Sequence, residues 1–551
     1  MGTRPVFEAV AELLSGLGVR CFFGLVGSGN FHLTNALVGC GARFIPARHE
    51  GAAVTMADAW ARVTGEVGVC TVHQGPGLTN TITGLTEAAK SRTPLLVLAA
   101  DTARPAVRSN FRIDQARLVE AVGAAAECLY TPESAINDTC RAFWRARVER
   151  RPVVLMMPLD VQAAPCPQDV VRPWFPELRP VRPSAQAVRA AADALVRARR
   201  PLIIAGRGAV VAGAREALEV LADRLGALLA TSAVANGLFA GNPWYLGIAG
   251  GFASPAAAEL IYQADVVAAF GASLNMWTTR HGRLINPQAT VIQVDHEAGA
   301  IGTHHRVDVA VVGDVRETVL ELLAELEGRE APGAGWRTPR VRAAIEAGAW
   351  RNVPYEDAST ADRIDPRTLS IALDEILPLE RTIATDSGHF MGYPAMYLRV
   401  PDAQGFVFTQ AFQAVGLGLA TAIGAAVAQP HRLTVAALGD GGALMGLSEL
   451  ETVARLGLKM LVVVYNDAAY GAEVHHFGPL GAPLDIVRFP DVDFAALARG
   501  AGLAGVTVRR LEDLEPVREW VAAGMAGPML VDAKVVPTVV ADWLEEAFRG
   551  H

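Results

Sequence analysis

The chain has 551 residues, 51% of them apolar and 19% charged, and its 49 basic and 57 acidic side chains leave a net charge of −8. A chain of this size and apolar content holds several ordinary cores, about three to four domains by length, which excludes disorder as the dominant state. No basic run is long enough to follow a phosphate backbone, so nucleic acid is not the expected partner, and apolar stretches such as residues 94–100 fall well short of the roughly 20 residues of a membrane span.

The first eleven residues carry Arg4 and Glu8 rather than a basic start followed by an apolar run, so the expectation is a cytoplasmic protein without a secretory leader, acting on small molecules. Six cysteines (Cys21, Cys40, Cys70, Cys128, Cys140 and Cys166) show no CxxC spacing and read as buried free thiols.

In chain order, short runs rich in Val, Ile, Leu and Ala alternate with glycine-containing turns and longer amphipathic stretches, and this pattern fills three successive blocks. The predicted fold class is α/β, with three doubly wound parallel-sheet domains over residues 1–165, 184–330 and 365–551. A connector with six prolines (residues 165–183) and a second loop (328–335) separate them.

The first block offers four segments with chemical potential: LVGSGN (25–30), PARHEGAA (46–53), VHQGPGLTN (72–80) and a stretch from Asn110 to Gln115. The middle block pairs Gly206-Arg207-Gly208 with Asp295, each after a predicted strand; this hints at a dinucleotide fold, but the third glycine of the fingerprint is missing. The third block contains ATDSGH (384–389), QAFQAVGLG (410–418) and two strand ends, one leading into GDGG (439–442) and the other into NDAAYGAEVHH (466–476).

Those two strand ends carry the clearest chemistry. Asp440 and Asp467, 27 positions apart, each fall just past a predicted buried strand, the edge at which open parallel sheets bind ligands. Hard oxygen donors on two such loops suit magnesium, which fills its octahedron with substrate phosphate oxygens, while Gly439, Gly441 and Gly442 let backbone N–H groups approach a diphosphate. The stretch after Met445 is expected to supply a helix N-terminus facing the anion.

This spacing resembles the signature of the thiamine-diphosphate-dependent enzymes, the family of pyruvate decarboxylase, acetolactate synthase, benzoylformate decarboxylase and benzaldehyde lyase. The resemblance implies that Asp440, Asp467 and the Ala469 carbonyl bind Mg2+, with Asp467 rather than Asn466 as the ligand. It implies that Glu50 meets the pyrimidine ring nitrogen N1′ of thiamine diphosphate; a carboxyl sequestered in an apolar pocket suits such proton sharing because desolvation penalises its charge. The resemblance also places Ser387, Gly388, His389 and Tyr470 near the diphosphate, the Gln413 carbonyl against the pyrimidine amino group, and Val415 as the wedge that bends the cofactor, where the family more often has Leu, Ile or Met.

Four further positions have two readings each. His73 is either a proton shuttle, as in benzoylformate decarboxylase, or a loop histidine bonded to backbone. Ser28 either touches substrate or caps the helix that starts at Phe31. Asn110 either stands in for a catalytic Gln of benzaldehyde lyase, one methylene shorter, or bonds its own backbone. Glu473 either protonates the product, as the acidic residue of pyruvate decarboxylase does, or belongs with His475 and His476 to a solvated helix start.

The implied function is a 2-keto acid decarboxylase or carboligase, a lyase or transferase taking a small 2-keto acid with an aldehyde or keto-acid acceptor. The alternatives are an acetolactate-synthase-type acyltransferase, a hydroxy-ketone lyase, and, from other classes, a Rossmann-type oxidoreductase or a non-catalytic cofactor-binding protein. The family further implies a homodimer or homotetramer whose cofactor sits between Glu50 of one subunit and the Asp440/Asp467 pair of another. The middle domain is expected to be an empty spacer rather than an FAD site.

Overall fold

The computed structural model describes residues 4–167, 175–329 and 335–549. Parts of the proline-rich connector (168–174) and of the second predicted loop (330–334) lie outside the described residues.

The apolar runs pair as parallel strands in three six-stranded sheets. The first holds β1 (Cys21–Gly24), β2 (Arg43–Pro46), β3 (Gly68–Val72), β4 (Leu95–Asp101), β5 (Ala125–Cys128) and β6 (Pro152–Pro158), in the order β2-β1-β3-β4-β6-β5. The second holds β7 (Pro201–Ala205), β8 (Leu228–Thr231), β9 (Tyr245–Ile248), β10 (Val266–Phe270), β11 (Thr290–Asp295) and β12 (Val309–Val312), in the order β12-β11-β10-β7-β8-β9. The third holds β13 (Arg381–Thr385), β14 (Phe406–Phe408), β15 (Leu433–Gly439), β16 (Met460–Asn466), β17 (Ala504–Val508) and β18 (Met529–Lys534), in the order β14-β13-β15-β16-β18-β17. Central strands such as β3, β10 and β16 are buried along their whole length, because helices cover both faces of a parallel sheet.

Strand order fixes where ligands can enter. Near the middle of each sheet the winding turns to the opposite side, between β1 and β3, between β7 and β10, and between β13 and β15, and the crevice outside the carboxyl ends of such a strand pair is the natural binding site. In the first sheet this point lies between Gly24 and Val72, next to the Ser28 turn and His73; in the third it lies between Thr385 and Gly439, next to Asp386 and Asp440.

In the middle sheet the same point is filled by backbone. A Cβ placed at Gly206 would come within 2.2 Å of the Gly271 carbonyl oxygen, and one at Gly208 within 2.7 Å of the Gly271 Cα, so this glycine pair serves a close crossing of two loops. Arg207 turns away to donate to Ser91 and Thr93 of the first domain. Beside this crossing, a cavity of about 1020 Å³ opens between the three domains.

The first and third domains share one hydrophobic core. Helix Glu50–Thr64 lies against helix Gly418–Ala428, and Ala53, Val54 and Ala57 of the former belong to the same buried cluster as Ala422, Ile423 and Ala426 of the latter. Burying each such aliphatic side chain larger than alanine is worth about 1.5–3 kcal/mol, which makes this seam a rigid joint between the two domains.

Cys21, Cys40, Cys70, Cys128 and Cys140 are free thiols, but the reading of all six cysteines as buried is corrected: Cys70 and Cys166 are buried, Cys40 is exposed, and the other three are half-buried. Cys40 follows the Phe31–Gly39 helix at the protein surface.

Candidate active site

At the end of β15, Gly439 turns the chain into the short helix Asp440–Met445. Asp440 is 9% exposed, and burial pushes its carboxyl up to about 6 despite N–H donors from Gly441 and Ala469. At the end of the neighbouring β16, Asp467 is pushed up to about 7, first by burial and then by the negative charge of Asp440. Asp440 is buried and Asp467 half-buried, and two carboxylates that repel each other make a site short of positive charge, with oxygen donors of the hard kind that Mg2+ accepts.

The neighbouring Asn466 is unavailable to that set. Its amide nitrogen donates to Asp491, Val492 and Asp532, and its oxygen accepts from Ala468 N–H. Asp467 is thus the side chain of the Asn-Asp pair that remains for a metal. The expected helix N-terminus after Met445 is corrected: the helix opening at the site is Asp440–Met445 itself, whereas the later helix starts at Glu449 and turns that carboxylate onto the N–H groups of Arg48 and His49.

The cradle around the two aspartates is closely fitted. A Cβ at Gly442 would lie 2.2 Å from an Asp386 carboxylate oxygen, and one at Gly441 would lie 2.6 Å from the Tyr470 ring. Asp386, at the end of β13, is 1% exposed and pushed up to about 6 by burial; it accepts from the N–H groups of Ser387 at 2.8 Å and Gly416 at 3.0 Å. The sequence reading passed over Asp386, although its place beside Ser387 at a strand end was the available signal. Val415 comes just before the Gly416 N–H that Asp386 holds and is 41% exposed, with Gln413 two residues earlier in the left-handed region at φ 60.

His389 is 8% exposed, and its Nε2 accepts from Ala541 N–H at 2.9 Å, which makes Nδ1 the protonated nitrogen of the ring. Burial and the adjacent His475, whose ring centroid lies 4.4 Å away, push it down to about 3, so it stays neutral. Glu473, His475 and His476 do begin a helix, Gly471–Phe477, but not a wholly solvated one: the His475 Nε2 is buried and His476 stacks on Phe548.

The first domain builds a second cluster. Glu50 opens helix Glu50–Thr64, is 8% exposed, and accepts from the Asn80 amide at 2.9 Å. Asn80 ends the GPG segment and was not singled out from sequence. His73 Nδ1 accepts from Gly29 N–H at 3.1 Å, so backbone bonding holds one nitrogen and leaves Nε2 as the donor. Burial lowers its pKa below the usual histidine value, and the charge of Glu50 partly opposes this.

The capping reading of Ser28 is corrected, because Asn30 precedes the Phe31–Gly39 helix and Ser28 is exposed in the turn before it. Asn30 is fully buried and ties that turn together, accepting from Gly27 N–H and donating to Leu25 and Thr71. Asn110 is exposed, one residue before Phe111, whose ring meets His73 edge-on at 5.1 Å. Gln115 of the same segment holds Gly75 of the GPG loop through its N–H.

Three family models match the chain: "Thiamine pyrophosphate enzyme, N-terminal TPP binding domain" over residues 4–118, "central domain" over 188–322, and "C-terminal TPP binding domain" over 386–533. Among curated proteins, a sulfoacetaldehyde acetyltransferase of Castellaniella defragrans is 30% identical, the comparison covering 92% of this chain and 89% of that protein. A probable 2-ketoarginine decarboxylase of Pseudomonas aeruginosa is 32% identical over 97% and 94%, and a probable acetolactate synthase large subunit of Methanocaldococcus jannaschii is 27% identical over 96% and 92%. With matched models on all three sheets and similarity running almost from end to end, the chain belongs to the thiamine pyrophosphate enzymes.

Proposed function

We propose that the protein is a 2-keto acid decarboxylase or carboligase whose domains span residues 1–165, 184–330 and 365–551. The observation that carries the site reading is the Asp440/Asp467 pair, buried and half-buried at adjacent strand ends, beside a glycine cradle that a single Cβ would fill. These residues fit thiamine diphosphate held through Mg2+. When bound, that cofactor supplies a thiazolium carbon that adds to a carbonyl and a ring that takes up the electrons left by the departing group.

In this reading Asp440, Asp467 and the Ala469 carbonyl hold the metal, and Gly439, Gly441, Gly442, Ser387, Gly388, His389 and Tyr470 surround the diphosphate. His389, kept neutral, is a hydrogen-bond donor through Nδ1. The Gln413 carbonyl and Val415 orient the pyrimidine. Glu50, steadied by Asn80, holds the proton shared with the pyrimidine nitrogen N1′. His73 and Glu473 move protons to and from the substrate, while Ser28 and Asn110 line its approach.

Exposed apolar residues flank both clusters: Phe31, Phe111 and Ile113 in the first domain, and Val415, Leu444, Met445 and Ile486 in the third. Apolar surface of this extent supports burial against a second copy, so that Glu50 of one subunit completes the metal-bearing half of another in a homodimer or a tetramer of two such dimers. No helix among the described residues is long and apolar enough to cross a membrane, which is compatible with a cytoplasmic site of action.

The alternative, acyl transfer of the acetolactate synthase or sulfoacetaldehyde acetyltransferase kind, draws on the same residues and on those relatives. Product analysis by mass spectrometry over a panel of 2-keto acids, each with and without an aldehyde acceptor, tests the choice. Carbon dioxide release with aldehyde or hydroxy-ketone products is expected. No turnover across the panel by protein that has bound cofactor would overturn the proposal.

A further inference from the structure

The segment 411–416 of the third domain is fastened at both ends by carboxylates from different domains. At one end, Glu87 of helix Ile82–Lys90 in the first domain, fully buried, accepts from Ala411 N–H at 3.2 Å through Oε1 and from Phe412 N–H at 2.6 Å through Oε2. At the other end, Asp386 accepts from Gly416 N–H through both oxygens at 3.0 Å. Between the anchors Gln413 sits at φ 60, a region that a side chain larger than glycine rarely enters unless its surroundings hold it there. Glu87 is itself fixed: Arg62 donates to Oε1 at 2.9 Å while pairing with Asp58, and Ser91 adds a hydroxyl donor at 2.9 Å.

We propose that Glu87 is a positioning residue for the cofactor, holding the Gln413 turn in its left-handed form from the neighbouring domain of the same chain so that the Gln413 carbonyl and Val415 are already set when the cofactor arrives. The inference rests on the proposed roles of Gln413 and Val415. Geometry supports it beyond simple domain adhesion: adhesion needs only the Arg62 pairs, whereas both Glu87 oxygens also reach backbone N–H groups one and two residues before the strained position. Fastening a chain in its binding conformation raises affinity by removing an ordering cost from the binding step.

The test is calorimetric titration of thiamine diphosphate, with saturating Mg2+, into the full chain and its variants. Glu87→Gln keeps one acceptor oxygen but turns an NH2 group toward one of the two backbone N–H donors, and a loss of affinity of about tenfold is expected. Adding Gln413→Gly, which takes positive φ without a tether, is expected to return the affinity to within about threefold of the unmodified chain. If Glu87→Gln does not fold, Glu87→Asp keeps the charge facing Arg62 and carries the same comparison with and without Gln413→Gly.

Unchanged affinity in the Glu87 variant overturns the proposal. Loss that Gln413→Gly does not repair also overturns it, since a merely structural Glu87 would lower thermal stability without responding to that second change. Asp440→Ala, titrated alongside, separates the two readings. Normal affinity there means that the site assignment has failed and the clamp with it, whereas loss there with none in the Glu87 variant refutes the clamp alone.

Discussion

Gly441 and Gly442 of the GDGG segment differ in what stands over them, and this makes a sharp prediction. An alanine at 442 would place its Cβ 2.2 Å from Asp386 Oδ2, so that carboxylate must retreat by about 1 Å, enough to break or badly bend a hydrogen bond. Asp386 is buried and engaged with Ser387 and Gly416, so it has nowhere to relax. Losing or weakening charge-assisted bonds costs about 1.5–3 kcal/mol each, against a gain of about 1 kcal/mol for replacing glycine within a helix, leaving a net loss of about 2 kcal/mol. If that loss falls on the binding-ready cradle, cofactor affinity drops on the order of 30-fold.

Gly441→Ala is the internal comparison. Its Cβ would meet the edge of Tyr470, a 39% exposed ring that can swing aside, so the affinity loss is expected to be smaller than that of Gly442→Ala, with stability kept or slightly raised. Titration calorimetry for cofactor binding and scanning calorimetry for the fold decide the matter. A Gly442→Ala protein that binds within twofold of the unmodified chain, or a Gly441→Ala protein that suffers equally, would refute the reasoning.

Other expectations follow from the same geometry. Asp440→Ala, or removal of Mg2+ by a chelator, should release the cofactor from protein that stays folded, read by gel filtration and absorbance of the eluted thiamine compound; full retention would count against the metal site. Glu50→Gln should abolish hydrogen–deuterium exchange at the thiazolium C2 position of bound cofactor while Asn80 keeps the side chain in place, and NMR showing normal exchange would defeat the assignment. For Asp386, the raised carboxyl pKa of about 6 means that its contribution to stability is full below about pH 4 and is lost as pH rises through 6. Relative to Asp386→Asn, the unmodified chain should therefore lose about 3 kcal/mol of stability between about pH 4 and pH 7; parallel pH profiles of thermal midpoint for the two proteins would contradict this.

Much of this protein is written locally. A buried parallel strand needs only a short apolar run and a turn after it, so the runs predicted before Asp440 and Asp467 stand in the structure as Leu433–Gly439 and Met460–Asn466. The two aspartates were legible for the same reason, since a strand end is a local event and their spacing a property of the chain. The partners of those residues were not. Asn80 against Glu50, Asp386 against Gly416, and Glu87 against Ala411 and Phe412 join positions 30 to 325 residues apart. Such pairings follow from strand order and from the seam between helices Glu50–Thr64 and Gly418–Ala428, where many weak packing contacts act together and no single residue pattern records the outcome.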